Sequence, residues 1–242
     1  MAQDYNDILV SGGANIDTLI SMLNASLGQV TLTDLQGQNG WQAFNTTLSY
    51  ASSSSVTLSG DWTARITIGT KIWLTQTTSK WFIVTGTSYS TGNTTLTLNA
   101  GNVYTVASAA ITSPYYSHAA TPYGFPNSFT WTVTHTGFSA NPAYTANFNT
   151  TGRVCYFSYI PSSGTSNSTN YYFSLPITAA TITNIQWNCV GGFCQDNGGR
   201  GVDPFIFIQS GATSAIIQLT GGYSTFQASG TKYCQVCGYY LF

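Results

Sequence analysis

The sequence predicts a mainly β protein with a short N-terminal helix, a first β domain and a C-terminal jelly-roll or β-sandwich domain. Three observations predict it. Charged residues make up 5% of the 242-residue chain and Glu is absent, against a norm of roughly 25% charged. Long helices need Glu, Lys and Arg on their wet faces, so an all-α fold is excluded. Thr occurs 37 times, beside 16 Tyr, 13 Phe and 6 Trp, and these are the residues that fit a pleated, half-buried surface. Clusters of Gly, Ser and Asn cut the chain into short segments, the punctuation of an all-β chain.

The same composition excludes function classes. A net charge of −1 offers no basic surface to nucleic acid. A 43% hydrophobic share with so few charges is the opposite of a disordered chain. No apolar run is long enough for a membrane span. The opening MAQDYNDILVSGG lacks the basic start and apolar run of a secretory signal. Low net charge gives little colloidal repulsion, so the chain is expected within a defined assembly.

Residues 1–30 carry the helix. Ile16, Leu19, Ile20, Leu23 and Leu27 fall on one stripe, with Asn15 placed to cap the start and Gly28 to end it. The stripe packs on its own domain or against copies of itself and virion partners. The second reading makes these five residues an anchoring and trimerising surface, too short to stand alone as a coiled coil.

Residues 31–128 form the first β domain. Ala43–Leu48 and Ser55–Leu58 are weak strands, and Lys71–Gln76 alternates more clearly. Trp81–Tyr89, a turn at Ser90–Asn93 and Thr94–Leu98 read as a hairpin. Ser113 to Pro126 holds three prolines and four aromatics and reads as a linker or packed loop. Residues 129–242 form the second domain. Its expected strands are Phe129–His135, Arg153–Ile160, Tyr171–Leu175, Thr181–Asn188, Phe205–Gln209, Ala215–Leu219 and Lys232–Phe242, spaced as in a β-sandwich or jelly roll.

Several ordered strings carry a family resemblance. They are Leu48-Ser49-Tyr50-Ala51-Ser52, Ile68 through Thr78, Lys80-Trp81-Phe82-Ile83-Val84-Thr85, Asn93 through Leu98, Ala107 to Tyr116 and Tyr123-Gly124-Phe125-Pro126, with Gly40-Trp41 before them. Over roughly residues 40–135 the chain resembles a module of tailed-phage and prophage structural proteins. It departs from them in lacking acidic residues around Trp41. The resemblance implies a tail-fibre or other virion-surface protein with a β-sandwich appended, and it implies no catalytic residues.

All five cysteines lie in the third segment: Cys155, Cys189, Cys194, Cys234 and Cys237. The close pairs Cys189/Cys194 and Cys234/Cys237 leave three readings open: a four-thiolate zinc site, one or two disulfides formed after virion release, or buried thiols. Against zinc, positions three apart in a strand point to opposite faces. Cys155, beside Val154 and Tyr156, reads as core. The loop Asp196–Asp203 offers oxygens but not the spacing of a calcium loop.

Neither His118 nor His135 has a Cys or carboxylate near it in sequence. There is no G-x-S-x-G elbow and no phosphate-cradling GK[ST] loop. Seven scattered Asp without Glu are a poor stock for acid–base work, so no enzymatic activity and no cofactor are expected. Exposed rings beside Asn and Thr suit sugar stacking. Tyr115, Tyr116, Tyr171 and Tyr172 are the candidates, although most aromatics of such a chain belong to its core.

The expected function is that of a phage virion-surface structural protein, homotrimeric, serving host attachment as a tail fibre or head fibre. It would hold other virion proteins through its N-terminus and recognise host-surface glycans distally. Two alternatives stand beside it: a capsid decoration protein with no ligand, and a carbohydrate-binding module.

Overall fold

The computed structural model describes residues 40–182, 186–187, 191–198, 204–219 and 226–242. The stripe Ile16, Leu19, Ile20, Leu23 and Leu27, with the helix and the trimerising role drawn from it, lies outside the described residues. Those residues form an all-β structure without a helix, arranged in three antiparallel sheets.

The first sheet contains β1 (Gln42–Ala43), β2 (Leu48–Ser52), β3 (Ser55–Ser59), β4 (Lys71–Thr75), β5 (Ser79–Ser90), β6 (Asn93–Asn99) and β7 (Thr112–Ser117), ordered β1-β7-β4-β5-β6-β3-β2. The hairpin β5–β6 turns where the sequence places it. Ser90 pairs with Asn93, so Thr91-Gly92 is a two-residue loop, and both residues take positive φ, 50° and 83°. That conformation matches the strand twist. Thr94, Leu96 and Leu98 face inward, beside Ile72, Leu74, Phe82 and Val84 of β4 and β5. The expected strand Ala43–Leu48 is instead broken into β1 and β2, with a bend at Asn45-Thr46.

One expectation is overturned here. The prolines place Ser113–Pro126 outside regular structure, yet its first residues form β7, hydrogen-bonded between β1 and β4. The ladder shifts register at this point: Tyr115 pairs with Trp73 while Thr112 pairs with Thr75. Ser113 takes φ 45°. A bulge excuses Pro114 from donating to the ladder, which is how a sheet interior tolerates proline. Residues 118–128 are irregular, as expected.

The rest of the chain contributes β8 (Phe129–Thr130), β9 (His135–Thr136), β10 (Tyr144–Thr151), β11 (Val154–Pro161), β12 (Gly164–Thr165), β13 (Tyr171–Ser174), β14 (Gln186–Trp187), β15 (Gly191–Asp196), β16 (Pro204–Ile208), β17 (Ser214–Leu219) and β18 (Thr231–Leu241). One sheet runs β12-β18-β11-β10-β8, with β15 also on β18; the other runs β14-β16-β17-β13-β9. They face each other through aromatic rings. Tyr159 of β11 stacks on Phe173 of β13 with centroids 4.8 Å apart, and Phe157 meets the same ring at 5.7 Å. Each such buried ring stabilises the sandwich by roughly 1.5–3 kcal/mol.

The expected strand Phe129–His135 is split. Phe129–Thr130 pairs with β10 in one sheet, and His135–Thr136 pairs with β13 in the other. The chain between them crosses from sheet to sheet, steadied by the Val133 amide donating to the Tyr144 hydroxyl at 2.9 Å. Three strands, β10, β12 and β15, have no counterpart in the sequence reading. The inward positions of β10 are Ala146, Phe148 and Thr150, only one of them large and apolar, so its alternation is faint.

The first sheet and the sandwich are tightly joined. Lys71 is buried and donates from Nζ to the Thr150 carbonyl (2.9 Å) and hydroxyl (3.1 Å) of β10. Its ammonium also lies 4.7 Å from the Phe125 ring centroid. Asn99 Nδ2 donates to the Pro176 carbonyl at 3.1 Å, and the Thr130 hydroxyl donates to Asn102 Oδ1. Two glycines permit the closeness: a methyl group at Gly69 would strike the Gly152 backbone, and one at Gly101 the Thr130 carbonyl.

Candidate functional site

Between the first sheet and the sandwich lies an open cleft of about 1030 Å³. Its floor and walls are hydroxyl-bearing. Trp131–Thr136 runs extended with Trp131, Val133 and His135 buried and Thr132, Thr134 and Thr136 exposed, so three threonines at period two face one side. Thr85 and Thr97 line it from the first sheet, and Ser174, Thr213 and Ser214 from the sandwich. No Asp, Lys, Arg or His lines it. The period-two threonines were present in the sequence as a Thr-rich strand, but nothing there placed them on a concave surface.

The four tyrosines singled out from sequence part company. Tyr172 lines this cleft, half-buried. Tyr171, its neighbour on the opposite face of β13, is fully buried, and its hydroxyl is 2.9 Å from that of Tyr159. Tyr116 is core. Tyr115 is half-buried and stacks on Trp73 at 4.9 Å, and Trp73 in turn stacks on Trp81 at 6.4 Å. Tyr171 and Tyr116 are therefore corrected from ligand contacts to core. Strand alternation sends adjacent tyrosines to opposite faces, so each Tyr-Tyr pair yields one buried ring.

The cysteines resolve into a cross-strand arrangement. Cys194 of β15 and Cys234 of β18 are register partners, both buried, and joined by a disulfide. Cys237 is exposed on the other face of β18, its thiol donating to the Gly191 carbonyl at 3.4 Å. Cys189 lies outside the described residues. The four-thiolate zinc site does not assemble, because two of its sulfurs are bonded to each other and a third points away. Cys155 is buried beside Tyr240, and burial pushes its thiol up to about 12. Among the described residues no group of three or more His, Cys or Asp gathers in metal-binding reach.

One buried polar cluster stands apart from the cleft. His135 Nδ1 is 2.5 Å from the Tyr159 hydroxyl, which also meets Tyr171. Burial holds the imidazole below its usual range. Burial, reinforced by charge repulsion between the two phenols, holds the Tyr159 proton on. Neutral members without a carboxylate beside them make a packing network rather than a proton relay. Lys232 is buried next to it. Its Nζ donates to the carbonyls of Ser168 (2.7 Å) and Asn170 (3.2 Å) and lies over the rings of Phe226, Phe138 and Tyr171. His118 lies exposed in the irregular segment, 3.5 Å from the Thr70 hydroxyl.

No family model matches the chain, and no curated protein or solved structure is significantly similar to it.

Proposed function

We propose that the chain is a phage virion-surface structural protein that serves host attachment by binding, as a homotrimeric tail or head fibre. The two facing sheets of its second half are read as a jelly roll. The observation that carries the proposal is the uncharged, hydroxyl-lined cleft held between two β units locked together at Lys71, Asn99 and Gly101. Such a surface recognises by shape and hydrogen bonding, and it offers no carboxylate, imidazole or amine to drive a reaction. The ordered strings between residues 40 and 135 that resemble phage structural modules support the same reading. Several copies on one particle would turn weak contacts into firm attachment, with the stripe from Ile16 to Leu27 as the anchoring and trimerising element.

The test uses particles assembled with and without the chain. Attachment predicts that antibody against the chain decorates the particle surface, and that its loss abolishes adsorption to host cells while heads stay intact. Normal adsorption with fragile heads would assign it instead to capsid decoration. Absence from purified particles would end the virion reading altogether.

A further inference from the structure

The outward face of the sheet built on β18 carries a second surface, which shares no lining residue with the cleft. Tyr156 of β11 and Tyr239 of β18 are register partners with ring centroids 5.9 Å apart, and each is 44% exposed. Phe193 of β15 is 45% exposed and meets Tyr233 of β18 at 6.0 Å. Phe193 pairs with Gln235, so the two ring pairs stand about four residues apart along β18, or about 13 Å. Monomeric proteins usually bury rings of this size, and a paired, exposed set marks a recognition surface.

Between the ring pairs is a depression of about 410 Å³ lined by Ser158, Gly191, Phe193, Gln235 and Cys237. Gly191 helps to open it: a Cβ there would meet the Cys237 sulfur at 3.8 Å. The Tyr233 hydroxyl donates to Gln235 Oε1 at 3.2 Å, which leaves the Gln235 amide N–H groups to donate outward. The described outward positions of β10, β11, β15 and β18 carry no Asp, Lys or Arg. An anionic partner would find no cation to pair with among these positions. A neutral chain of pyranose rings would gain at each point, laying its apolar C–H faces on the rings and its hydroxyls into the depression.

We propose that this face binds a neutral polysaccharide lengthwise along β18, with Tyr156/Tyr239 and Phe193/Tyr233 as two stacking platforms. This names a ligand class for the attachment reading and rests on that reading only for where the polysaccharide comes from.

The full chain is run through gels containing immobilised neutral polysaccharides (glucans, mannans, galactans, N-acetylglucosamine polymers), beside polyanionic controls. The expected result is retention on at least one neutral polymer, unchanged by added salt. Tyr156→Ala and Tyr239→Ala each weaken it about tenfold or more. Phe193→Ala weakens binding of long chains but not of disaccharides, and Tyr89→Ala, at an exposed ring of β5 outside both surfaces, leaves it unchanged. These side chains are exposed, so the variants keep their folded circular-dichroism signature. Retention on polyanions alone, retention indifferent to both platforms, or no retention at all overturns the proposal. So does a Tyr239→Ala variant whose only change is a smaller mass by light scattering, which would make the face a contact between copies. Retention by a chain that is absent from particles refutes only the attachment reading, and a chain needed for adsorption that no polymer retains refutes only this one.

Discussion

At the scale of single residues, two of the few charged groups have been taken inside. Lys71 and Lys232 are buried, and burial pushes both ammonium groups from 10.5 down to about 8. Each therefore costs stability that is fully present below pH 8 and is relieved as pH rises toward 10.5, where the unfolded chain still holds the proton that the folded chain has lost. Cys155, raised from 9.0 to about 12, and the phenols of Tyr159, Tyr171 and Tyr240, raised above 10.0, act in the other direction. Their contribution is present below the unfolded value and is lost as pH climbs past it. His135, lowered from 6.5 by burial, contributes above that value and loses its contribution as pH falls below it. The unfolding midpoint in urea, followed at constant ionic strength, should therefore rise between about pH 8 and 9 and fall beyond 10. It should also fall on acidification below about 6.5. A steady decline from pH 8 upward would mean that the two lysines are not buried as described.

At the scale of elements, the disulfide does what the β15–β18 ladder cannot do alone. β15 pairs with no strand other than β18 among the described residues, so it is held from one side. Cys194 and Cys234 are 40 residues apart in sequence. Closing a loop of that length removes unfolded-state freedom worth about 4 kcal/mol in the chain-entropy model. Reduction, or the double change Cys194→Ala with Cys234→Ala, should lower the unfolding free energy by about 2–4 kcal/mol. Intact mass should show two hydrogens gained on reduction. Cys237→Ser should leave stability within about 0.5 kcal/mol, since its thiol is exposed. The strands that were legible in sequence are those whose alternation is strong. β4, β5, β6, β11, β16, β17 and β18 were each placed by hydrophobic period, and those of the second half also by the Gly, Ser or Asn clusters that separate them. β10 and β15 were not, because Ala146, Gly191 and Gly192 give no apolar signal, and their strand character comes from their neighbours. The candidate site was less legible still. Thr132, Thr134 and Thr136 were readable as a strand, and Tyr172 as an aromatic, but a cleft is made by residues more than a hundred positions apart. Tyr156, Phe193 and Tyr239 were not read as ligand contacts because sequence alternation says only that one face is outside. It does not say that rings on that outer face stand paired across strands.

At the scale of the whole molecule, the question is whether the first sheet and the sandwich act as one body. Pulling them apart would expose Ile83, Phe129 and Phe148, which share one hydrophobic core. It would also strip Lys71 Nζ of both Thr150 acceptors and Asn99 of the Pro176 carbonyl. A core shared by two units couples their unfolding, so unfolding of one alone is disfavoured. Heating the full chain should therefore give one calorimetric transition with equal calorimetric and van't Hoff enthalpies. The junction can be loosened at a single atom's width. Gly101 takes φ +61°, and its missing side chain leaves room for the Thr130 carbonyl, so Gly101→Ala combines backbone strain with a steric clash. It should cost about 2 kcal/mol or more. For a chain of this length that is about 4 °C or more off the melting temperature, with the single transition shifted as a whole. Two resolved transitions in the parent chain would mean that the sheet and the sandwich melt independently. The cleft between them would then rest on a junction weaker than either unit, rather than on one continuous core.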